Sequence, residues 1–253
     1  MSLEGSQKSL LISNILSVAG QTLRSVARGR FARTEVVKQL YEFAWGCLGI
    51  VSLCVTFTGI IIILEYSFHM KLILANDSLI PGFAMILLVR ELAPAVTALL
   101  LTSKMGASIA AELGAMKTTE QLDAYRLLGL NPVDLFVAPR FIASTVATVI
   151  LSVVALYLAV MGGWLSAVLK LHFSTGEFFQ SLFAFTTPSD FLLCAVKAAL
   201  FGGSIPIISS TYGFRCRFGS EGVGMTTTDA VVANSIWIIV LDFVLTYVFS
   251  LFK

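Results

Sequence analysis

Five long apolar runs dominate the chain, and shorter segments carrying most of the charge separate them. A helix that spans a membrane needs about 20 mostly apolar residues, and every run reaches that length. Lipid offers the backbone no hydrogen-bond partner, so a helix is the expected form of each run. The pattern predicts an all-α membrane protein with five transmembrane helices, within residues 43–66, 79–101, 141–165, 191–212 and 231–252.

Ahead of the first run, residues 9–28 show an amphipathic pattern instead. The apolar side chains that share one helical face are Leu11, Ile15, Val18, Ala19, Leu23 and Val26. Such a face predicts an amphipathic helix lying in the membrane interface. A helix packed on the cytoplasmic side of the protein itself is the alternative. The predicted organisation is an N-terminal segment, 1–33, followed by a membrane domain, 34–253.

Composition supports the membrane assignment and excludes several other classes of protein. Hydrophobic residues make up 57% of the chain and charged residues 13%, against about 25% charged in an ordinary soluble domain. The net charge of +2 gives no reason to expect a nucleic-acid partner. The four cysteines form no C-x-x-C pair, and we place His69 and His172 each alone in a loop, so neither a disulfide frame nor a metal site is predicted. We expect no cleavable signal peptide.

Basic residues concentrate on one side of the predicted spans. Twelve lie before the first span, between spans two and three, or between spans four and five: Lys8, Arg24, Arg28, Arg30, Arg33, Lys38, Lys104, Lys117, Arg126, Arg140, Arg215 and Arg217. The other side has three: Lys71, Lys170 and Lys253. Lysine and arginine accumulate in cytoplasmic loops. The predicted N-terminus is therefore cytoplasmic and the C-terminus lies outside.

A polar segment, residues 112–132, separates spans two and three. Thr118 and Gln121 have the spacing of a capping box, while Gly129 and Pro132 are typical of a helix end. These signals predict a short cytoplasmic helix at about 119–128, exposing Glu120, Asp123 and Arg126. Both a helix that docks on a partner and a solvated surface turn agree with this pattern.

Besides Glu65 at the end of the first span, four charged residues lie well inside predicted spans: Arg90, Glu91, Lys197 and Asp242. Each would cost a few kcal/mol facing lipid at the bilayer centre. One interpretation is two structural ion pairs, Arg90 with Asp242 and Glu91 with Lys197. The other is a cavity that handles a charged or zwitterionic ligand.

Small residues and prolines mark further positions in the spans. Pro94 permits a kink in the second span, and the fourth is predicted to be interrupted at Gly202, Gly203 and Pro206. Small residues four apart, which let helices approach closely, form the pairs Gly106/Ala110, Ala107/Ala111 and Ala110/Gly114. They predict either an internal contact or a dimer interface.

Motifs of catalysis are missing from the sequence. It contains no G-x-x-x-x-G-K-[ST] phosphate loop, no G-x-S-x-G and no H-E-x-x-H. We therefore expect no enzyme activity and no catalytic residue on this chain. Any energy from ATP would be supplied by a partner.

Several longer segments together resemble the MlaE/YrbE-type permeases, the membrane subunits of ABC transporters that move lipids in diderm bacteria. The matching segments are "RTEVVKQLYEFA", "LLVRELAPAVTALLLTSKMGASIAAELGAMKTTEQLDAYRLLGLNP", "APRF" and "LDFVLTYVF". The resemblance runs from about Arg33 to Phe252, so it implies that 34–253 is a permease domain.

The resemblance also implies partners and roles. The helix between spans two and three would be a coupling helix that docks on the ATPase; the matching residues are Glu112, Gly114, Met116, Lys117, Thr118, Thr119, Glu120, Gln121 and Asp123. Arg90 and Glu91 would lie near the lipid pocket, with Lys197 and Asp242 as further polar candidates and Tyr66 and Phe68 as candidates for its lining. The expected assembly is a homodimer in the bacterial inner membrane with a cytoplasmic ABC ATPase and a periplasmic MCE-domain protein, and a small STAS-type subunit would be an accessory. ATP and Mg would bind the ATPase, leaving this chain without a cofactor.

Sequence reasoning alone leaves two other functions open. An ion-coupled secondary transporter would use Glu91 and Asp242 as coupling carboxylates, but such carriers often have internal repeats, and we find none. A non-transporting membrane scaffold would leave the charged residues in the spans without a role. The expected function is a phospholipid permease that serves outer-membrane lipid homeostasis.

Overall fold

The computed structural model describes the backbone of residues 2–73, 80–171, 173–217 and 219–251, and side chains within those ranges except 2–10 and 70–73. Among these residues the secondary structure is helical, with no β-strand. His172 and Lys253, which entered the sequence predictions, lie outside the described residues, as do the side chains of Lys8 and Lys71. His69 was predicted in a loop, but it lies in a helix.

Ten α-helices form in the described chain. They are α1 (Ser2–Ala27), α2 (Arg33–Ile73), α3 (Ile80–Leu87), α4 (Ala93–Leu101), α5 (Ala107–Thr118), α6 (Gln121–Leu127), α7 (Ala138–Leu171), α8 (Thr175–Phe185), α9 (Pro188–Phe214) and α10 (Ser220–Leu251). Three π-helical turns join neighbouring helices: Leu88–Leu92, Thr102–Gly106 and Val133–Val137.

Five stretches of helix are long and apolar enough to cross a membrane, which confirms the predicted number. They are Arg33–His69, Ile80–Thr118, Val133–Leu171, Pro188–Phe214 and Ser220–Leu251. The fourth was predicted to be interrupted, but α9 continues through Pro206 without a break. The second is interrupted instead, by two π-helical turns.

The chain divides into two compact units. The first comprises Met1–Phe43, Leu101–Ala147 and Gly202–Ile239. Its interior includes the small-residue face of α5: a Cβ placed on Gly213 of α9 would lie 2.7 Å from the Leu113 Cβ and 3.2 Å from the Ala110 carbonyl oxygen. Ala110 is fully buried. Ala110 therefore makes a contact within the protein, while Ala107 and Ala111 are half-buried and the dimer interface stays a prediction.

Helix α1 packs within this first unit. Val18 belongs to a buried cluster with Val133 and Val137, so the apolar face that predicted a membrane-interface helix is partly covered by the protein itself. Exposed apolar side chains of α1 include Ile12, Leu16 and Leu23. The interfacial position of α1 remains a prediction.

The second unit comprises Ala44–Leu100, Thr148–Phe201 and Val240–Lys253. Helices α2 and α7 approach closely there because glycines remove side chains from the contact. A Cβ on Gly59 would lie 2.5 Å from the Ala159 carbonyl oxygen, and one on Gly162 would lie 2.8 Å from the Thr56 methyl carbon. This unit holds Arg90, Glu91, Lys197 and Asp242, the four charged residues predicted well inside the spans.

Candidate functional site

The π-helical turn Leu88–Leu92 places Arg90 and Glu91 in the site. Pro94, four residues after Arg90, has no N–H, so the Arg90 carbonyl lacks its normal α-helical donor. The helix widens here, and the Ala93 N–H donates to the Leu88 carbonyl five residues earlier. The Arg90 carbonyl instead accepts a hydrogen bond from the Lys197 ammonium at 2.9 Å. Pro94 thus leaves an acceptor that ties this turn to α9.

Arg90 forms an ion pair with Asp190, in the first turn of α9. Its Nη2 lies 2.6 Å from Asp190 Oδ1, and its Nε donates to the same oxygen at 2.7 Å. The Thr187 N–H and hydroxyl each donate to Asp190 Oδ2 at 2.8 Å. The Asp190 side chain is fully buried, whereas that of Arg90 is 24% exposed. Arg90 therefore has a buried counter-ion, while its own side chain stays partly exposed and its guanidinium carbon lies 5.7 Å from the centre of the Phe249 ring.

Lys197 is the centre of a second group of polar contacts. Its side chain is fully buried, and Nζ lies 2.6 Å from Glu91 Oε2 and 2.7 Å from Asp242 Oδ1. Nζ also donates to the Thr246 hydroxyl at 2.7 Å. That hydroxyl in turn donates to the Glu91 carboxylate at 3.1 Å. With the bond to the Arg90 carbonyl, the three N–H groups of the ammonium make three hydrogen bonds. Asp242 contacts it as an ion pair without a hydrogen bond.

The two groups together, which we name the charged cluster, comprise Arg90, Glu91, Asp190, Lys197 and Asp242. Two cations face three carboxylates, an excess of one negative charge when all are ionised. Glu91 and Asp242 are 27% and 21% exposed. Charged groups in a membrane span face a protein interior or an aqueous cavity, because lipid contact is costly. The cluster can offer guanidinium N–H groups to an anion and carboxylate oxygens to a cation.

The predicted pairs were half right. Glu91 contacts Lys197 as expected, but the pairing of Arg90 with Asp242 is wrong, since Asp190 takes Arg90 and Asp242 contacts Lys197. Asp190 was missed because it directly precedes the fourth apolar run. The sequence Thr187-Pro-Ser-Asp190 has capping-box spacing, and that signal could have placed Asp190 in the first turn of the span.

Tyr66 and Phe68, the candidates for the pocket lining, both lie in α2. Tyr66 is half-buried. Phe68 is 64% exposed, and its ring packs edge-on against His69. Within the described residues, neither side chain makes a hydrogen bond or an ion pair to the charged cluster. The structure brings together the four charged candidates but supplies no contact that joins these two aromatic residues to them.

The predicted coupling segment contains α6, but the predicted capping box is wrong. The Thr118 hydroxyl donates to the Ala115 carbonyl, within α5. Glu120 occupies the N-cap position with a left-handed φ of 59° and makes no capping bond through its side chain. Gln121 is the first residue of α6. The predicted helix end at Gly129 is confirmed by a φ of +75° there, which glycine adopts readily.

Charges of the coupling segment pair with one another. Lys117 Nζ lies 2.8 Å from Asp123 Oδ2, and Arg126 Nη1 lies 3.1 Å from Asp123 Oδ1. The hydrogen bond from Lys117 lowers the pKa of Asp123 below its ordinary value, so this carboxylate is ionised at neutral pH. Two apolar side chains of the segment are also highly exposed, Leu127 at 90% and Leu128 at 74%.

The other predicted coupling residues have internal roles in the first unit. Glu112 Oε1 lies 2.6 Å from Nη2 of Arg140, which is buried. Gly114 is buried, and a Cβ there would lie 3.3 Å from Cys216 Sγ. Met116 is half-buried, and the Thr119 hydroxyl donates to the Ala115 carbonyl. Within the described residues, no three His, Cys, Asp or Glu side chains converge in a way that could hold a metal ion.

Comparison with known proteins identifies the family. Residues 36–248 match the family model described as Permease MlaE. A probable ABC transporter permease protein of Rickettsia bellii is 34% identical over 93% of this chain and 90% of its own length. The chloroplastic protein Trigalactosyldiacylglycerol 1 of Arabidopsis thaliana is 31% identical over 92% of this chain and 66% of its own length. A probable ABC transporter permease of Synechocystis is 30% identical, over 91% of this chain and 87% of its own length. This multi-pass membrane protein belongs to the MlaE family of ABC transporter permeases.

Proposed function

We propose that this chain is the membrane subunit of an ABC transporter that moves phospholipids between a bacterial inner membrane and a periplasmic MCE-domain protein. The observation that carries the proposal is the partial exposure of the Arg90 side chain within the spanning helices. Two of its five N–H groups are directed to Asp190. The others can bind two oxygens of a phosphate diester through parallel N–H groups in one plane, a geometry that an ammonium group does not offer.

The chemistry of the surroundings supports a lipid ligand. The residues of the charged cluster lie in helices that are otherwise apolar enough to span a membrane. Acyl chains need apolar walls, while a headgroup needs a few polar anchors. Glu91 and Asp242, both partly exposed, could accept the amine of a zwitterionic headgroup. The Arabidopsis relative is named after a galactosylated diacylglycerol, which agrees with a lipid substrate.

A separate ATPase subunit would bind ATP and Mg and dock on α6. Since Asp123 is already paired with Lys117 and Arg126, we assign the main contact to the exposed Leu127 and Leu128. Replacing both with serine should reduce copurification of the ATPase at least tenfold, since fully burying a leucine side chain contributes about 1.5–3 kcal/mol. Leu23→Ser, in an exposed position of α1, is the matched control. Unchanged copurification would reject this docking surface.

A second copy of the chain would cover the partly exposed charges. Helix α10 is the least buried of the five spans. Of its most apolar 18 residues, 11% are buried, against 28–56% for the same stretch of the other four spans. We therefore propose a homodimer with α10 at its interface, the N-terminus cytoplasmic and the C-terminus periplasmic. A cysteine at the exposed position Phe243 should crosslink two copies, and labelling of cysteines at both chain ends tests the orientation. Both ends on one face would contradict the five-span topology.

The excess carboxylate in the charged cluster favours one alternative function, an ion-coupled secondary transporter. Glu91 and Asp242 share the single ammonium of Lys197, an arrangement that could also bind a proton or a cation during ion-coupled transport. The two functions differ in their energy source, so they are separable by experiment.

The deciding experiment uses the affinity-purified native complex. A protein with a P-loop should copurify, and phospholipids should be retained. In proteoliposomes, ATP should change the accessibility of a fluorescent phosphatidylethanolamine, and a non-hydrolysable analogue should not. Lipid movement driven by a proton gradient without ATP would favour the ion-coupled carrier. A chain that copurifies no ATPase and moves no lipid under either condition would be a scaffold.

A further inference from the structure

The π-helical turn Leu88–Leu92 inserts one extra residue into the second span, next to Arg90. Buried residues occur in adjacent pairs along this part of the span: Ala84/Met85, Leu88/Val89, Ala93/Pro94 and Thr97/Ala98. Two half-buried residues separate the first two pairs, and two separate the last two pairs. Three half-buried residues, Arg90, Glu91 and Leu92, separate the middle pairs. The extra residue therefore lies on the more exposed side of the span, where the two charged residues are.

An uninterrupted α-helix would bury Arg90. Residues about four positions apart share one face of an α-helix. Counted back from the buried pair Ala93/Pro94, that repeat would bury Val89 and Arg90. In the structure the Arg90 side chain is instead 24% exposed. The partial exposure that allows a phosphate contact is thus a consequence of the π-helical turn.

Two residues hold the extra residue at this position. An ordinary residue at position 94 would donate its N–H to the Arg90 carbonyl and close an α-helical turn, but proline has no N–H. The Lys197 ammonium donates to that carbonyl instead, at 2.9 Å. A π-helical turn of the first unit, Val133–Val137, has the same construction, because the Ala138 N–H donates to the Val133 carbonyl and Pro139 follows directly. A proline two positions after the turn is therefore common to both.

We propose that Pro94 is a positioning residue for Arg90. Because Pro94 offers no N–H to the Arg90 carbonyl, the π-helical turn stays in place and the guanidinium keeps its partial exposure. The inference rests on the proposed function, in which Arg90 binds the phosphate of a lipid. With an N–H at position 94, the α-helical bond forms and the extra residue moves toward the start of the span. Only the residues between its old and new positions need to rotate, so both ends of the span keep their contacts.

The first experiment compares two full-length chains in nanodiscs that differ in a single N–H group. One chain carries Pro94→Ala. The other carries lactic acid at position 94, introduced by cell-free translation, which keeps the methyl side chain of alanine but has an ester oxygen in place of the N–H. Phenylglyoxal modifies accessible guanidinium groups, and mass spectrometry measures its reaction with Arg90 relative to the exposed Arg28.

Modification of Arg90 should fall severalfold in the Pro94→Ala chain and stay at the wild-type level in the chain with lactic acid. This result would assign the exposure of Arg90 to the missing N–H. Equal modification in the two chains would overturn the inference, because the N–H would then have no effect on the turn. The measurement needs no lipid ligand, so it is independent of the proposed transport function.

The second experiment measures capture of a photoreactive phosphatidylethanolamine per folded chain. Pro94→Ala should reduce capture at least about tenfold, the effect of losing a hydrogen bond to a charged group. It should melt no lower than the wild-type chain, because alanine is the better helix former. Pro206→Ala is the matched control and should capture lipid like the wild type. Helix α9 stays α-helical through Pro206, and the Gly202 carbonyl that this proline leaves free accepts from the Ser144 hydroxyl at 2.7 Å.

The outcomes separate this inference from the proposed function. Unchanged capture by Pro94→Ala, in a wild-type background where capture depends on Arg90, would overturn the positioning role alone. A loss of capture that only follows a loss of folded chain would also count against that role. Wild-type capture that does not depend on Arg90 would overturn the proposed ligand contact, and the functional role of Pro94 with it.

Discussion

Removing Arg90 should affect folding and lipid capture separately, and the ion pair with Asp190 allows the two effects to be measured apart. Arg90→Ala removes both contacts to Asp190 Oδ1 and leaves a fully buried carboxylate. Breaking a buried pair costs about 3–5 kcal/mol. Asp190 keeps two hydrogen bonds from Thr187, and Arg90 is partly exposed, so we expect the lower end, about 3 kcal/mol.

The double variant Arg90→Ala/Asp190→Asn removes the unpaired charge as well. The asparagine oxygen can still accept from Thr187, so the double variant should be at least about 1 kcal/mol more stable than Arg90→Ala alone. Arg28→Ala, which changes an exposed arginine, should alter stability by less than about 0.5 kcal/mol. The assay is reversible unfolding in mixed micelles, followed by tryptophan fluorescence. Asp190→Asn alone is measured in the same way. If the double variant loses as much unfolding free energy as the two single variants together, the pair is not coupled.

Lipid capture is then measured per folded complex in that double variant. If Arg90 binds the phosphate, capture of a photoreactive phosphatidylethanolamine should fall severalfold although the fold is restored. Arg90→Lys should give an intermediate value, because an ammonium keeps the charge but not the fork of donors. Unchanged capture by a stable double variant would reject the ligand role of Arg90.

Three further predictions follow from other contacts. Lys197→Met should destabilise the chain by about 3–5 kcal/mol, because it leaves Glu91 and Asp242 without their cation. Lys170→Met, at an exposed position, should have little effect. Equal melting curves for the two variants would contradict the central role of Lys197. Gly59→Ala should cost about 1–3 kcal/mol through the clash with a backbone carbonyl, while Gly49→Ala in the same helix meets no atom within 4 Å and should be neutral or stabilising, as thermal unfolding of both variants would show. The lowered pKa of Asp123 means that its bond to Lys117 stabilises the coupling turn above the ordinary pKa of aspartate and is lost as the pH falls through the lowered value. The protection factors of the amides in residues 117–127, corrected for the pH dependence of intrinsic exchange, should therefore fall only at acid pH. Protection factors that do not change with pH would argue against the bond.

Part of the charged cluster could be predicted from the sequence. Arg90, Glu91, Lys197 and Asp242 were identifiable because charge in an apolar run is costly and therefore conspicuous. The ion-pair partners were harder to predict, because the spacing of residues along one helix does not determine which residues of another helix they contact. Asp190 shows this: it lies outside the apolar run, yet it is the buried counter-ion of Arg90.

The predicted helix ends met a similar limit. Gly129 ends the segment as expected, since its positive φ is a local preference of glycine. Thr118 did not cap α6, because α5 continues through it and its hydroxyl bonds within α5. A capping-box sequence forms a cap only where the preceding helix has already ended. Tertiary packing decides where that helix ends.

The sequence by itself determined the all-helical membrane class, the five spans and the family, because these depend on apolar run length and on long matching segments. Only the tertiary structure decided that Lys197 binds the carbonyl freed by Pro94, that Ala110 of α5 packs internally, and that Asp190 is the counter-ion of Arg90. These features join residues as many as about a hundred positions apart in the chain. They depend on how one helix face is oriented toward another, and a one-dimensional pattern of apolar and polar residues leaves that orientation undetermined.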